Sequence, residues 1–224
     1  MPRVKVKICG IRTIEEATAA VEAGADALGF NFWTRSARFV EPRIARSIIQ
    51  QVGPLTSTVG VFVDEDVNRV ADIAAELGLS AVQLHGDESP EFCDQLKTVR
   101  RIKALRVGSD FDVKRIAEYR VEMILLDAGV KGSYGGTGHK FDWEIAVEAK
   151  KHASIILAGG LTTDNVVEAI TRVSPTAIDV CSGVEAEPGR KDLDEVRRFM
   201  RTVARANAMI ASGSDEIVPT GLIR

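Results

Sequence analysis

The chain has 224 residues, 45% of them hydrophobic and 27% charged, with a formal net charge of -3. This length suits one α/β barrel with a sizeable core, and the near balance of charge gives no basic field for nucleic acid. Cys9, Cys93 and Cys181 are odd in number, widely spaced and without a C-x-x-C pair, which argues against a disulfide framework or a metal site and fits a reducing cytoplasm. Met1-Pro2-Arg3 leads straight into an alternating run, and no apolar run approaches the roughly 20 residues of a membrane helix. Neither a signal peptide nor a membrane span is therefore expected.

Taken in chain order, eight short, mostly apolar and often β-branched runs read as buried parallel strands, at 4–9, 26–32, 57–63, 80–85, 100–105, 122–127, 154–159 and 176–181. Helical stretches alternate with them near 14–23, 41–52, 66–77, 89–97, 112–118, 142–152, 163–172 and 192–206. Thr13 with Glu16 forms a capping-box pattern, Gly24 and Gly78 sit where helix C-caps belong, and Ala71, Ile73, Ala74 and Leu77 make a helical apolar stripe. Eight β–α alternations favour an α/β fold, a single-domain (β/α)8 TIM barrel of eight parallel strands over residues 1–206, ahead of an open doubly wound sheet. Residues 207–224 lack helical periodicity and hold Gly213, Pro219 and Gly221, so they read as a C-terminal extension with a frayed or packed end.

Strand side chains alternate between two faces. Parity turns Lys7 and Cys9 of the first strand inward, along with Gln83 and His85 of the fourth, Lys103 of the fifth, Asp127 of the sixth, and Asp179 and Cys181 of the eighth. Buried charges need partners, and the first and eighth strands are neighbours in a closed barrel, so Lys7 and Asp179 are expected to form an ion pair.

The C-terminal strand ends of such a barrel carry its chemistry. Cys9 closes one strand and Asp127 another, so a thiol and a carboxyl meet there as a base and acid pair. A lone strand-end Cys is more often a small buried hydrophobe, and a strand-end Asp is often a helix cap. The convergence of several polar residues on one face is what makes these two candidates. Gly159-Gly160, before Thr162 and Thr163 open a helix, and Ser182-Gly183 end the seventh and eighth strands. Glycine turns there suit a phosphate, which backbone N–H groups and a helix N-terminus can hold. The loop Phe32 to Val40 mixes aromatic rings with Arg35 and Arg38, a receptor for an aromatic carboxylate. Gly135-Gly136-Thr137-Gly138-His139-Lys140 lacks the spacing of a P-loop and reads as a mobile active-site loop.

Lys7-Ile8-Cys9-Gly10-Ile11 resembles the opening signature of phosphoribosylanthranilate isomerases. The same order of signatures follows: Gly29-Phe30-Asn31-Phe32 with Ser36-Ala37-Arg38-Phe39-Val40, then Gly60-Val61-Phe62-Val63, then Val82-Gln83-Leu84-His85-Gly86. Leu125-Leu126-Asp127, Gly135-Gly136-Thr137-Gly138 with Phe141-Asp142-Trp143, Ala158-Gly159-Gly160-Leu161 and Asp179-Val180-Cys181-Ser182-Gly183-Val184-Glu185 complete the set, over about residues 4–206.

The resemblance implies a (β/α)8 barrel of tryptophan biosynthesis that needs no cofactor. It matches Cys9 to the general base, Asp127 to the general acid and Arg38 to the holder of the anthranilate carboxylate. It matches Gly159, Gly160, Ser182 and Gly183 to the phosphate loops. Lys7, Gln83, His85 and Asp179 are grouped with Arg38 as substrate-binding residues. The family often has Ser where this chain has Cys181.

The implied partner is a small phosphosugar-anthranilate substrate, with no nucleic acid and no membrane, in a cytoplasmic monomer or homodimer. The implied reaction needs Asp127 to hold a proton and Cys9 to be a thiolate, although a free thiol is only a few per cent ionised at neutral pH. A related phosphosugar barrel, of the indole-glycerol-phosphate synthase or aminoimidazole isomerase kind, and a non-catalytic phosphate-ligand binder are the competing readings.

Overall fold

The computed structural model describes residues 3–108, 110–128 and 142–212. Eight strands close into one parallel barrel, each paired with the next and the last with the first. They are β1 Lys5–Cys9, β2 Ala27–Asn31, β3 Ser57–Phe62, β4 Ala81–Leu84, β5 Arg100–Val107, β6 Met123–Ala128, β7 Ile155–Leu157 and β8 Ala177–Val180. The α-helices are α1 Ile14–Glu22, α2 Pro42–Val52, α3 Val67–Leu77, α4 Pro90–Gln95, α5 Trp143–Ala149, α6 Val166–Val173 and α7 Leu193–Ser212. A small antiparallel hairpin, β9 Glu185–Glu187 and β10 Arg190–Lys191, follows the eighth strand. Among the described residues no helix is long and apolar enough to cross a membrane.

The connection between β5 and β6 departs from the expected α-helix and carries a 3-10 helix, Val113–Glu118, capped by Asp112. Its one buried side chain, Ile116, is too little apolar surface to dock a longer helix on the sheet. At the start of α1 the Thr13 side chain accepts from Glu16 N at 3.2 Å. Glu16 then accepts from Arg12 N at 2.8 Å and from Lys191 N at 2.9 Å, so the expected capping pair also ties the hairpin to the barrel.

Two apolar layers result from strand alternation. Val59, Ala81, Ile102, Ala104, Leu125, Ile156, Ala158 and Ala177 fill the barrel interior. Ile8, Leu28, Leu84, Leu105, Leu126, Leu157 and Ile178 belong to the larger core shared with the helices. This division corrects the expectation for Lys103. Its neighbours Ile102 and Ala104 take the interior, so Lys103 turns outward. There its Nζ donates to Leu84 O at 3.1 Å, Gly86 O at 2.8 Å and Glu88 Oε2 at 2.7 Å.

The last helix also runs beyond the expected residue 206. Asn207 accepts from Val4 N at 2.8 Å and donates to Val4 O at 3.0 Å, and Ile210 packs on the core. Those contacts hold the extra turn against the N-terminal end of β1. Residues 213–224 of the expected extension lie outside the described residues, as does the glycine segment 135–140.

Candidate active site

A cleft of about 640 Å³, open to solvent, lies at the C-terminal ends of the strands. Its walls include Cys9 from β1, Arg38 after β2, His85 after β4 and Asp127 from β6. Gly159 and Gly160 after β7, Asp179 of β8, and Ser182 and Gly183 beyond it complete the expected set. Lys7 and Gln83 are not on the walls. Each stands two residues before the rim residue of its own strand, so parity points it inward but one rung deeper, where it contacts rim residues rather than a ligand.

Lys7 Nζ donates to Asp179 Oδ1 at 2.9 Å, and the two residues are register partners on β1 and β8. Burial alone would lower the Lys7 pKa, but Asp179 and Cys9 together outweigh it and hold the ammonium charged. Asp179 is pushed up to about 6, by burial first and by the negative charge of Cys9 second, against the pull of Lys7. One buried cation thus serves two acidic groups.

Cys9 is held well below the ordinary thiol range. The largest cause is a hydrogen bond from Cys181; Lys7 and Lys191 add positive potential, and burial opposes them. A buried thiol beside cations is the environment in which a thiolate persists at neutral pH.

Asp127, one residue before the end of β6, is part of a chain of polar contacts. His85 Nε2 lies 3.2 Å from Asp127 Oδ2, and His85 Nδ1 lies 2.7 Å from Gln83 Nε2. Such a chain admits two proton placements. Either the imidazole donates to the Asp127 carboxylate, or a protonated Asp127 donates to the imidazole while the Gln83 amide is turned.

Arg38 reaches the cleft from the loop after β2, where Glu185 fixes its guanidinium. Arg38 Nε donates to Glu185 Oε1 at 2.9 Å and Nη2 to Oε2 at 2.8 Å. Glu185 also accepts from Lys191 Nζ at 2.9 Å. Burial would raise the Glu185 pKa, but these two cations keep it below its ordinary value. The fork orients Arg38 and leaves Nη1 outside the paired edge. The reading of the sequence assigns Glu185 and Lys191 no role, because both follow the eighth barrel strand and barrel parity gives no guide there. The one available signal was Glu185 at the close of the Ser182-Gly183-Val184-Glu185 run.

The glycine turns pack against each other and against the strand ends. Gly159 and Gly160 have φ of +82° and +64°, a region that disfavours side chains. A Cβ on Gly159 would lie 2.4 Å from Ala128 N, and one on Gly183 would lie 1.9 Å from Leu161 O. Asn165 ties the first turn by donating to Gly160 O at 2.8 Å and accepting from Thr162 N at 2.9 Å. Because Asn165 spends its side chain there, α6 starts at Val166, three residues later than the expected 163. The two turns form one rim of close-packed backbone of the kind that binds phosphate. Among the described residues no group of three or more His, Cys, Asp or Glu is placed to hold a metal ion.

A closed (β/α)8 barrel with a cation-flanked thiol, a histidine-linked carboxyl and a glycine rim around one strand-end cleft has the form of a barrel enzyme. The family model described as N-(5'-phosphoribosyl)anthranilate (PRA) isomerase matches residues 6–202. An N-(5'-phosphoribosyl)anthranilate isomerase of Geobacter sulfurreducens is 52% identical over 198 residues, covering 88% of this chain and 97% of the relative.

Among solved structures, the phosphoribosyl anthranilate isomerase of Thermotoga maritima superposes with a TM-score of 0.84 at 41% identity, covering 90% of this chain and 99% of that one. A phosphoribosyl anthranilate isomerase in complex with reduced 1-(o-carboxyphenylamino)-1-deoxyribulose 5-phosphate matches with a TM-score of 0.81 at 40% identity, over 90% of this chain and 99% of that one. The chain belongs to the N-(5'-phosphoribosyl)anthranilate isomerase family, isomerases of tryptophan biosynthesis.

Proposed function

We propose that this chain converts N-(5-phosphoribosyl)anthranilate to 1-(2-carboxyphenylamino)-1-deoxyribulose 5-phosphate, with Cys9 as general base and Asp127 as general acid. The observation that carries this assignment is the presence of both groups on the walls of one cleft, one on β1 and the other on β6. Strands one and six lie on different sides of the mouth, so the sugar fits between them.

Asp127 gives its proton to the furanose oxygen, the ring C–O bond breaks, and a Schiff base forms at the anthranilate nitrogen. That cation acidifies the neighbouring C–H, and the Cys9 thiolate removes its proton. The resulting enolamine tautomerises to the aminoketone, so no atoms or electrons are gained or lost. Each proton transfer by a positioned group contributes about 10²–10⁴-fold. His85 holds Asp127 in place, and Lys7 with Asp179 sets the charge beneath Cys9.

The glycine rim formed by Gly159, Gly160, Ser182 and Gly183 receives the phosphate, and Arg38, oriented by Glu185, receives the anthranilate carboxylate. Every residue invoked comes from one chain, so the reading is the same for a monomer or a homodimer. A cytoplasmic setting is part of it, supported by three thiols that are all free. The test follows the loss of phosphoribosylanthranilate fluorescence with the substrate made in situ. Turnover by the wild type and near silence from Cys9→Ala is the expected result. A folded wild type without turnover would turn attention to a related phosphosugar barrel or a silent binder.

A further inference from the structure

Lys103 of β5 and Glu88 of the loop between β4 and α4 form an ion pair at 2.7 Å, each side chain only 2% exposed. Neither lines the cleft. A buried ion pair is seldom a gain in stability, since two apolar side chains of similar volume fill the same space without giving up hydration. What an apolar pair cannot do is hold backbone, and this pair holds it on both sides of one residue. Lys103 Nζ donates to Leu84 O at 3.1 Å and to Gly86 O at 2.8 Å, the carbonyls of the residues on either side of His85. Glu88 Oε2 accepts from Gly86 N at 2.9 Å, and its Oε1 accepts from Asp64 N, in the loop after β3, at 2.9 Å. His85 N itself donates to Phe62 O at 2.8 Å.

This fastening matters because of what His85 spans. Its ring starts from the end of β4 and reaches Asp127 of β6 at 3.2 Å, past the intervening β5. Lys103 pairs in register with Leu84 on one side and Ile124 on the other, so it belongs to the strand that the contact bridges. Its ammonium meets the carbonyls from the helix side of the sheet, while the imidazole lies on the cleft side. A backbone shift of about 1 Å there would open the contact to Asp127, and displacements of that size far from the chemistry cost up to about 10²-fold in rate.

We infer that Lys103 and Glu88 are positioning residues, a clamp that grips the backbone around His85 from behind so that its ring meets Asp127. The clamp itself stands on the contacts alone. Its catalytic meaning rests on the isomerase reading, in which Asp127 is the acid.

The test replaces the ion pair by a neutral pair of similar volume, Lys103→Met with Glu88→Gln, which strands no charge and keeps an amide oxygen for the Gly86 and Asp64 N–H groups. The chain has three histidines, so labelling them with 15N gives three imidazole signatures, and His85→Asn identifies the one at the site. In the folded neutral-pair variant the His85 nitrogens should shift towards those of a ring averaging over both tautomers. Turnover should fall with them, kcat by about tenfold or more and KM by no more than about twofold, because Arg38 and the glycine rim are held elsewhere. Added to His85→Asn, the neutral pair should cause no further loss of kcat, since a clamp that acts through His85 has nothing left to hold. An undisturbed His85 signature would overturn the clamp, and so would a further loss of kcat in the His85→Asn background, the mark of a general structural effect. Should the double variant not fold, Glu88→Gln alone, with Lys103 in place, gives the same three readouts on a smaller scale and decides in the same way. A wild type without turnover, whose His85 signature still moves in the neutral-pair variant, would overturn the isomerase reading while supporting the clamp.

Discussion

Lys7 and Asp179 face each other across the seam where β8 meets β1, with Nζ 2.9 Å from Oδ1 and residue exposures of 3% and 7%. Breaking such a pair from one side strands a charge in the interior, which costs about 3–5 kcal/mol. Lys7→Met should lose stability on that scale in denaturant titrations near neutral pH. The sign of its pH dependence follows from Asp179, already raised to about 6 by burial. A carboxyl whose folded value is raised contributes stability in its protonated form, and that contribution is lost as pH rises through the folded value. The penalty of Lys7→Met should therefore shrink as pH falls towards about 6, because without Lys7 the Asp179 carboxyl takes up its proton at a higher pH. A deficit that is the same at pH 5 and pH 8 would mean that Lys7 does not hold Asp179 ionised.

Cys9→Ala and Asp127→Asn should each lower kcat by about 10² or more, with far-UV circular dichroism and melting behaviour close to wild type. Neither change leaves an ion in the interior without a partner, which is why the fold should survive. Near-normal turnover in either variant would remove that residue from its proposed role.

Arg38→Ala should act chiefly on KM. A hydrogen-bonded charged contact to the substrate is worth about 1.5–3 kcal/mol, so KM should rise by about tenfold or more. Glu185 keeps Lys191 as a partner in this variant, which limits damage to the hairpin. Glu185→Gln should produce a smaller rise in KM, because Arg38 stays present but loses the carboxylate that aims it. Steady-state kinetics on both variants separate contact from aim.

Gly183→Ala tests the rim. The added Cβ would lie 1.9 Å from Leu161 O, and the obstacle is backbone that cannot swing aside. The two turns must part, at a stability cost of about 1–3 kcal/mol. Inorganic phosphate should also lose its ability to inhibit competitively. Unchanged phosphate inhibition would show that the rim is not the anion site.

Much of this molecule was legible in the chain because its strands alternate. Parity and the neighbouring of first and last strands in a closed barrel were enough to place Lys7 opposite Asp179, and both were then found there. The same rule applied to Lys103 failed. A two-sided apolar strand such as Arg100–Val107 offers small residues for the interior and larger ones for the helix layer, and the apolar partners alone do not say which set a lysine joins. Lys103 went outward because Glu88 and two carbonyl oxygens wait there, and those groups come from the end of β4 and the loop that follows it.

Periodicity and chain order by themselves determined the eight-fold alternation, the inward thiol of Cys9, the inward carboxyl of Asp127 and the two glycine turns, because these features are local in the chain. Only the tertiary structure decided the rest. It set Cys181 beside Cys9, aimed Arg38 with Glu185, joined Glu185 to Lys191, and ran α7 on to Ser212 through Asn207 and Val4. Each of these depends on groups that meet across strands, loops or chain ends, some of them separated by more than a hundred residues. No spacing in the sequence records a contact of that kind, which exists only once barrel closure has set the distances.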